Sequence, residues 1–306
     1  MAMSAPECPP SLDPIAAARW CVFSAGLSSP WLHEEVASRM QERLAFIKLQ
    51  PARWVHWGPL QGGLHAHEAL QRRYPKAQAW LSSEHHQQSL AAHEILKGRW
   101  WHPKRWFGPR LQHGVLPDGQ ANMLWANMHL HTSAEPQNLL KTWHRALAED
   151  GFLMFSCLGP DTFRELRNVY ARHGWPEPAH EFTDMHDWGD MLVAAGFSEP
   201  VMDMERMTLS YESPQRLLAE LRSWGRNLNV QRFQGLRGRR WLDQLSQALM
   251  ALARPEEGGR LTLTFEIVYG HALKPSPRVP VSAHAVIGLE QMQQMLRSSP
   301  RISDKV

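Results

Sequence analysis

The chain has 306 residues, 43 % of them hydrophobic and 21 % charged, with a formal net charge of +3, enough apolar material for a full core in one large domain or a domain with an elaboration. No apolar run approaches 18 residues, and "MAMSAPECPPSLDP" has no charged region followed by an apolar one, so neither a membrane span nor a signal peptide is expected and the default compartment is cytoplasmic. The charge balance is too mild to point to nucleic acid, and Cys8, Cys21 and Cys157 are too scattered for a disulfide framework or a zinc site.

Residues 1–12 are rich in Pro and Ser and read as disordered, as does the tail from 276 to 306, leaving one folded unit over 13–275. Its first clear element is "WLHEEVASRMQERLAFI", where Leu32, Val36, Met40, Leu44 and Ile47 recur at spacings of three and four and predict an amphipathic helix. Then comes "WVHWGPLQGGLH", a short apolar run at 53–57 ending in a Gly-containing turn, followed by a helical stretch and a second run at 77–83. A third run at 121–127 leads to a helix over 135–148, for which Thr132 and Glu135 suggest a capping box, Leu139, Leu140, Trp143 and Leu147 the buried face, and Gly151 the stop. "FLMFSCL" predicts a buried strand at 151–158. Helices follow at "DTFRELRNVYARHG" and "MHDWGDMLVAAGF", the latter stopped by Gly196, then a strand over 200–211. Helical stretches at 214–224 and 239–252 precede a last strand from 261, whose Leu261, Leu263, Phe265 and Ile267 alternate. Such alternation of strands and helices predicts an α/β fold with a largely parallel sheet.

Several of these blocks resemble one family. "FLMFSCLGPDTFRELR", "EFTDMHDWGDMLVAAGFSEPVMDMERMTLSY" and "FEIVYGHALKP" resemble the class I S-adenosylmethionine methyltransferases that methylate malonyl-acyl-carrier protein early in biotin synthesis, and "NMLWANMHLHT" resembles their fourth strand. The resemblance implies a seven-stranded, doubly wound, Rossmann-like methyltransferase sheet with a small helical cap at about 212–255. It implies S-adenosylmethionine as cofactor, and a malonyl thioester or acyl-carrier protein as substrate or partner. By position it assigns Gly58, Gly62 and Asn127 to the cofactor side; Gly63, beside a helix N-terminus, and Glu84, if a one-residue bulge turns it inward, are further candidates there, and His271, in the block "YGHA", reads either as a substrate-side residue or as a structural histidine satisfied by backbone.

The cofactor half departs from the pattern. His56 stands where the first strand should end in an acid, and Leu60 where a glycine belongs. Ser83 holds the place of the ribose-binding acid with Glu84 one residue late, and Arg110 and Asn122 fall where two further acids are expected. A leucine forced to positive φ would add on the order of 1–2 kcal/mol of strain. These departures predict weak cofactor binding, or none, in the usual pose, and an alternative reading is a non-catalytic relative with an eroded pocket, acting as a binding or regulatory partner.

Other groupings carry less. His129 with His131, His65 with His67, and His85 with His86 lack a visible third ligand, so no metal is expected. Cys157 has no paired base and reads as a small buried hydrophobe. "KGRWWHPKRWFGPR" has the basic-aromatic composition of a single-stranded nucleic-acid groove, but a connection packing its Trp residues explains it as well, so a nucleic-acid partner is not expected. "RNLNVQRFQGLRGRRW" places Arg226, Arg232, Arg237, Arg239 and Arg240 in the region resembling the cap, where Arg237, Arg239 and Arg240 are candidates for contact with an acidic carrier.

Overall fold

The structure, a computed structural model, describes residues 9, 11–24, 29–97, 111–115, 117–254 and 258–276, with backbone alone at 24 and 254. The expectations of disorder at the N-terminus and tail, apart from residues 9, 11, 12 and 276, and the basic-aromatic stretch from 98 to 110 lie outside these residues.

All six predicted strands form and share one sheet. They are β1 (Arg53–Trp57), β2 (Gln78–Ser82), β4 (Ala121–Ala126), β5 (Leu147–Leu158), β6 (Ser198–Tyr211) and β8 (Arg260–Leu273), joined by the two-residue β3 (Gln112–His113) and β7 (Ala253–Arg254). The order is β3-β2-β1-β4-β5-β8-β6, with β7 paired to the start of β8. Strands β1 to β5 run parallel, and β8 enters antiparallel between β5 and β6. This is the doubly wound sheet that the resemblance implied, with β8 reversed. Order reverses beside β1, whose neighbours are β2 and β4, and a ligand crevice is expected there at the strands' carboxyl ends.

Both faces are covered, which is why the central strands read as unbroken apolar runs. On one face Trp54, Met123, Trp125 and Phe152 pack against Leu32, Val36, Met40 and Leu44 from the segment opening with α2 (Trp31–Arg43) and against Leu70 of α4 (Leu64–Arg73). On the other, Val55, Leu124, Leu153 and Phe155 meet Leu139, Leu140 and Trp143 of α6 (Pro136–Ala146) and Trp188 and Leu192 of α8 (Met185–Ala194). The edge strand β6 is tied back by ion pairs from α2, Arg39 to Glu205 and Arg43 to Asp203, charges that also discourage pairing with another chain. Between β6 and β7, helices α9 (Pro214–Trp224) and α10 (Arg239–Leu249) occupy the interval in which the cap was expected.

Local punctuation differs from expectation in one place. The Thr132–Glu135 capping box does not form: Glu135 is itself the N-cap residue, without a side-chain cap bond, and the Thr132 hydroxyl donates to the His129 carbonyl at 2.8 Å. The helix ends at Ala146, not 148, because β5 already starts at Leu147, pairing with Ala121, and Gly151 lies inside that strand.

Candidate functional site

A cavity of about 860 Å³ opens where the topology predicts, at the carboxyl ends of β1, β2 and β4. The end of β1 and its turn contribute Trp57, Gly58 and Gln61, the segment after β2 Ser83 and Glu84, and the segment after β4 Met128, His129 and His131. Its roof is α1 (Pro14–Ser24), through Ala17, Trp20 and Cys21, together with Trp224 at the end of α9. The sequence reading missed this helix as a wall of the site. Its signal was present in "SLDPIA": Asp13 accepts from the amides of Ile15 (2.8 Å) and Ala16 (3.2 Å), and Pro14 takes the first helical position.

The turn after β1 is unstrained at Leu60, contrary to the sequence expectation. Gly58 takes the left-handed conformation (φ 61°, ψ 47°), Pro59–Gly62 then forms a single helical turn, and Leu60 sits within it, buried against Leu81 and Ala92. Proline thus starts a helical turn here, and within this turn positive φ is confined to Gly58 and Gly63. No other residue type suits Gly58, since a β-carbon there would come within 2.9 Å of the His129 ring. At Gly63 (φ 115°) a β-carbon would meet the Glu34 carboxylate at 2.8 Å. That carboxylate, from α2, accepts from the backbone amides of His65 and Ala66 at 3.2 Å each, so the positive end of α4 is already occupied by an acid of this chain.

His56 is fully buried and does not reach the cavity. Its Nδ1 lies 3.2 Å from Nδ1 of His67 on α4, the two rings nearly parallel at 9°. Burial pushes His67 down to about 3 and His56 well below its ordinary value, so both are neutral and one imidazole donates while the other accepts. Asn122, another position where an acid was expected, holds the start of β1 by accepting from the amides of Ala52 and Arg53.

Asn127 is a fully buried structural tie beside the cavity-lining Met128. Its amide donates to the carbonyls of His33 (2.8 Å) and Gly62 (2.6 Å), and its oxygen accepts from the Ser156 hydroxyl at 2.6 Å. The side chain is thereby spent on fixing β4, β5, α2 and the glycine turn, while Gly62 and Gly63 lie behind the cavity wall formed by Gly58 and Gln61.

At the end of β2 the chain brings both Ser83 and Glu84 to the cavity. The strand stops at Ser82, so its alternation no longer governs residues 83 and 84. The Ser83 hydroxyl turns to the His85 carbonyl at 2.7 Å, and Glu84 stands on the cavity wall, 3.8 Å from Nε2 of His129. The His129 imidazole holds the Glu84 carboxyl below the usual carboxylate range, so it is ionised at neutral pH. Across from it Cys21 is held by Gln88, whose amide donates to the Cys21 carbonyl; burial and the Glu84 charge push the thiol up to about 12, which removes it as a nucleophile. His33 and His131 complete this wall as neutral groups, His33 lowered by burial to about 4 with its Nδ1 on the Gln61 carbonyl at 2.8 Å.

The remaining candidates lie elsewhere. His271, paired in register with Met154 and Val201 and beside the Phe152 ring, is not on the cavity wall, so the structure does not place it with the substrate side of this site. Arg237 stacks over Phe233 and Trp241 at 4.5 and 4.0 Å, outside the cavity, with Arg239 and Arg240 exposed at the start of α10. Cys157 is fully buried and its thiol pushed up by burial. Among the described residues no group of three or more His, Cys, Asp or Glu side chains could hold a metal ion, and no helix is long and apolar enough to cross a membrane.

Sequence comparison finds close relatives over most of the chain. A "Malonyl-[acyl-carrier protein] O-methyltransferase" of Gallionella capsiferriformans is 40 % identical over 273 residues, 85 % of this chain and 90 % of the relative. Proteins of the same name from Laribacter hongkongensis and Legionella pneumophila are 35 % and 34 % identical, with 81 % of this chain aligned in each case. No protein-family profile matches the chain. Two solved structures share the fold at TM-score 0.52: a candidate methyltransferase of Bacillus halodurans, 14 % identical with 79 % of this chain and all of that one covered, and the YcgJ protein of Bacillus subtilis, 11 % identical over 78 % and 99 %.

Proposed function

Because the chain belongs to the malonyl-[acyl-carrier protein] O-methyltransferase family, we propose that it transfers a methyl group from S-adenosylmethionine to the free carboxylate of a malonyl thioester borne on an acyl-carrier protein. The observation that carries this reading to the site is the ionised Glu84 at the carboxyl end of β2, facing a cavity large enough for a nucleoside and a thioester arm. A carboxylate there is a paired acceptor for the two ribose hydroxyls, so the donor set fits the nucleoside half of the cofactor, with Glu84 in the role that Ser83 vacates.

The methionine half is held differently from the family pattern. His56 faces His67 instead of the ligand, and Glu34 takes the first amides of α4, leaving Gly58, Gln61 and the roof of α1 to contact that end. When bound, the cofactor supplies an electrophilic methyl group. The substrate carboxylate is already a nucleophile, so this chain need not move a proton: its walls orient the carboxylate and strip it of water. Trp20, Trp57, Met128 and Trp224 are suited to that, and neutral His33 and His131 add no competing charge. Neither the structure nor the relatives favour the non-catalytic alternative.

Calorimetric titration with S-adenosylmethionine and with its demethylated product tests the cofactor assignment. Binding by the parent, weakened about ten- to a hundredfold in Glu84→Gln, is the expected result, since hydrogen bonds to a charged acceptor are worth roughly 1.5–3 kcal/mol. A parent that gives no heat, or a variant that binds as well as the parent, would overturn it.

A further inference from the structure

We propose that the surface built by residues 222–240 is where an acidic acyl-carrier protein docks, a proposal that rests on the methyl-transfer reading above and adds the place of contact. Between Glu220 and Asp243 the chain carries six arginines, at 222, 226, 232, 237, 239 and 240, and no carboxylate. Of these only Arg232 is paired with an acid among the described residues, to Asp13 at 2.6 Å. Arg222, Arg226, Arg239 and Arg240 stand exposed, and Arg237 is half-buried.

Three features set this segment apart from an ordinary solvated loop. Apolar side chains are exposed among the charges, Leu236 completely and Phe233 and Val230 about half, a combination that is costly in water and suits a partner combining acids with an apolar contact. The cations are partly preorganised, because Arg237 is stacked between Phe233 and Trp241, and Arg226 lies 5.4 and 5.2 Å from the ring centres of Trp20 and Phe23. Finally, the surface adjoins the cavity: Trp224, inside the arginine segment, and Trp20 both line it, and the Arg226 guanidinium lies over the Trp20 ring. A carrier seated here would have the entrance for its flexible thioester arm beside it. Acyl-carrier proteins are acidic and deliver their substrate on such an arm, so charge and placement agree on this occupant.

The test is binding of malonyl-loaded acyl-carrier protein to full-length protein, read by fluorescence anisotropy at low and moderate salt without S-adenosylmethionine. Reversing Arg239 and Arg240 to Glu is expected to weaken binding roughly tenfold or more at low salt and to flatten its salt dependence, with melting temperature and S-adenosylmethionine affinity unchanged. Adding Arg237→Glu is expected to weaken it further, and the uncharged Leu236→Ser to weaken it without flattening the salt dependence. In turnover the Arg239/Arg240 variant should raise KM for the carrier substrate with kcat retained. Equal binding by parent and double variant would overturn the docking surface while leaving the methyl-transfer reading intact, and so would a parent that binds single-stranded nucleic acid in preference to the carrier. Carrier binding by a parent that takes up no S-adenosylmethionine would support the surface and count against the cofactor reading alone.

Discussion

At the scale of single residues, the end of β2 and the build of the turn after β1 decide which side chains meet the cavity. Glu84 was legible as the nearest acid to the expected place, but that both it and Ser83 line the cavity, with the Ser83 hydroxyl turned to the His85 carbonyl, depended on β2 ending at Ser82, which residue alternation cannot set. Leu60 misled for a related reason: counting glycines assumes the loop path of the family, while Pro59 starts a helical turn that moves the positive φ to Gly58 and Gly63. His56 was read correctly as a departure, but its partner His67, eleven positions on, was visible only once α4 had folded back beside β1. The left-handed turn at Gly58 yields a stability prediction. Alanine there must accept φ 61° and a ring atom of His129 at 2.9 Å, so Gly58→Ala should cost about 2 kcal/mol or more in urea denaturation. A loss under roughly 0.5 kcal/mol would mean that the turn tolerates a side chain and that its geometry is not fixed by the glycine.

At the scale of elements, the strands and the helices packed on the sheet were readable because their apolar spacing matches their period, whereas α1 was not. In "PIAAARWCVFS" the buried Ala17 and Trp20 are interleaved with exposed Ile15, Val22 and Phe23, so no clean apolar stripe exists. What holds this helix is distant in sequence. The Asp13 amide donates to the Leu228 carbonyl at 2.7 Å, the Val230 amide to the Ser11 carbonyl at 2.9 Å, and the Arg232 guanidinium pairs with the Asp13 carboxylate, lowering its pKa. The roof of the cavity is therefore latched to the loop that precedes α10. Arg232→Ala should release that latch, costing about 1 kcal/mol for a largely shielded pair. Amide hydrogen exchange should rise across 14–24 and stay unchanged in β1, β4 and β5. Unchanged protection in α1 would show that Leu12, Trp20 and Leu228 hold the roof without the ion pair.

At the scale of the whole molecule, the membership of the six strands in one sheet followed from the alternating pattern and the family resemblance, while burial of the histidines did not, since no periodicity distinguishes a ring in the core from one in water. That burial governs the response of the fold to acid. His33 and His180 are lowered to about 4 and His67 to about 3, each mainly by burial, and His56 and His131 lie well below their ordinary value for the same reason. In the unfolded chain all five take up protons near pH 6.5, so between pH 6.5 and about 4 the unfolded state binds more protons than the native one and stability must fall as pH falls. The carboxylates held below their usual range, among them Glu84, Asp13 and Glu165, lose their contribution only at more acid pH. At pH 5 each neutral histidine costs roughly 2 kcal/mol, up to about 10 kcal/mol for the five, comparable with the whole stability of an ordinary domain. The melting temperature should therefore drop steeply from pH 6.5 to 5, before carboxylate titration contributes. Replacing His56 and His67 together with Leu should reduce the slope by about two protons, because both ring Nε2 atoms are buried without a partner and the pair is bonded only to itself. A melting temperature flat across that range, or a slope unchanged in the double variant, would mean that these rings exchange protons with solvent in the native state.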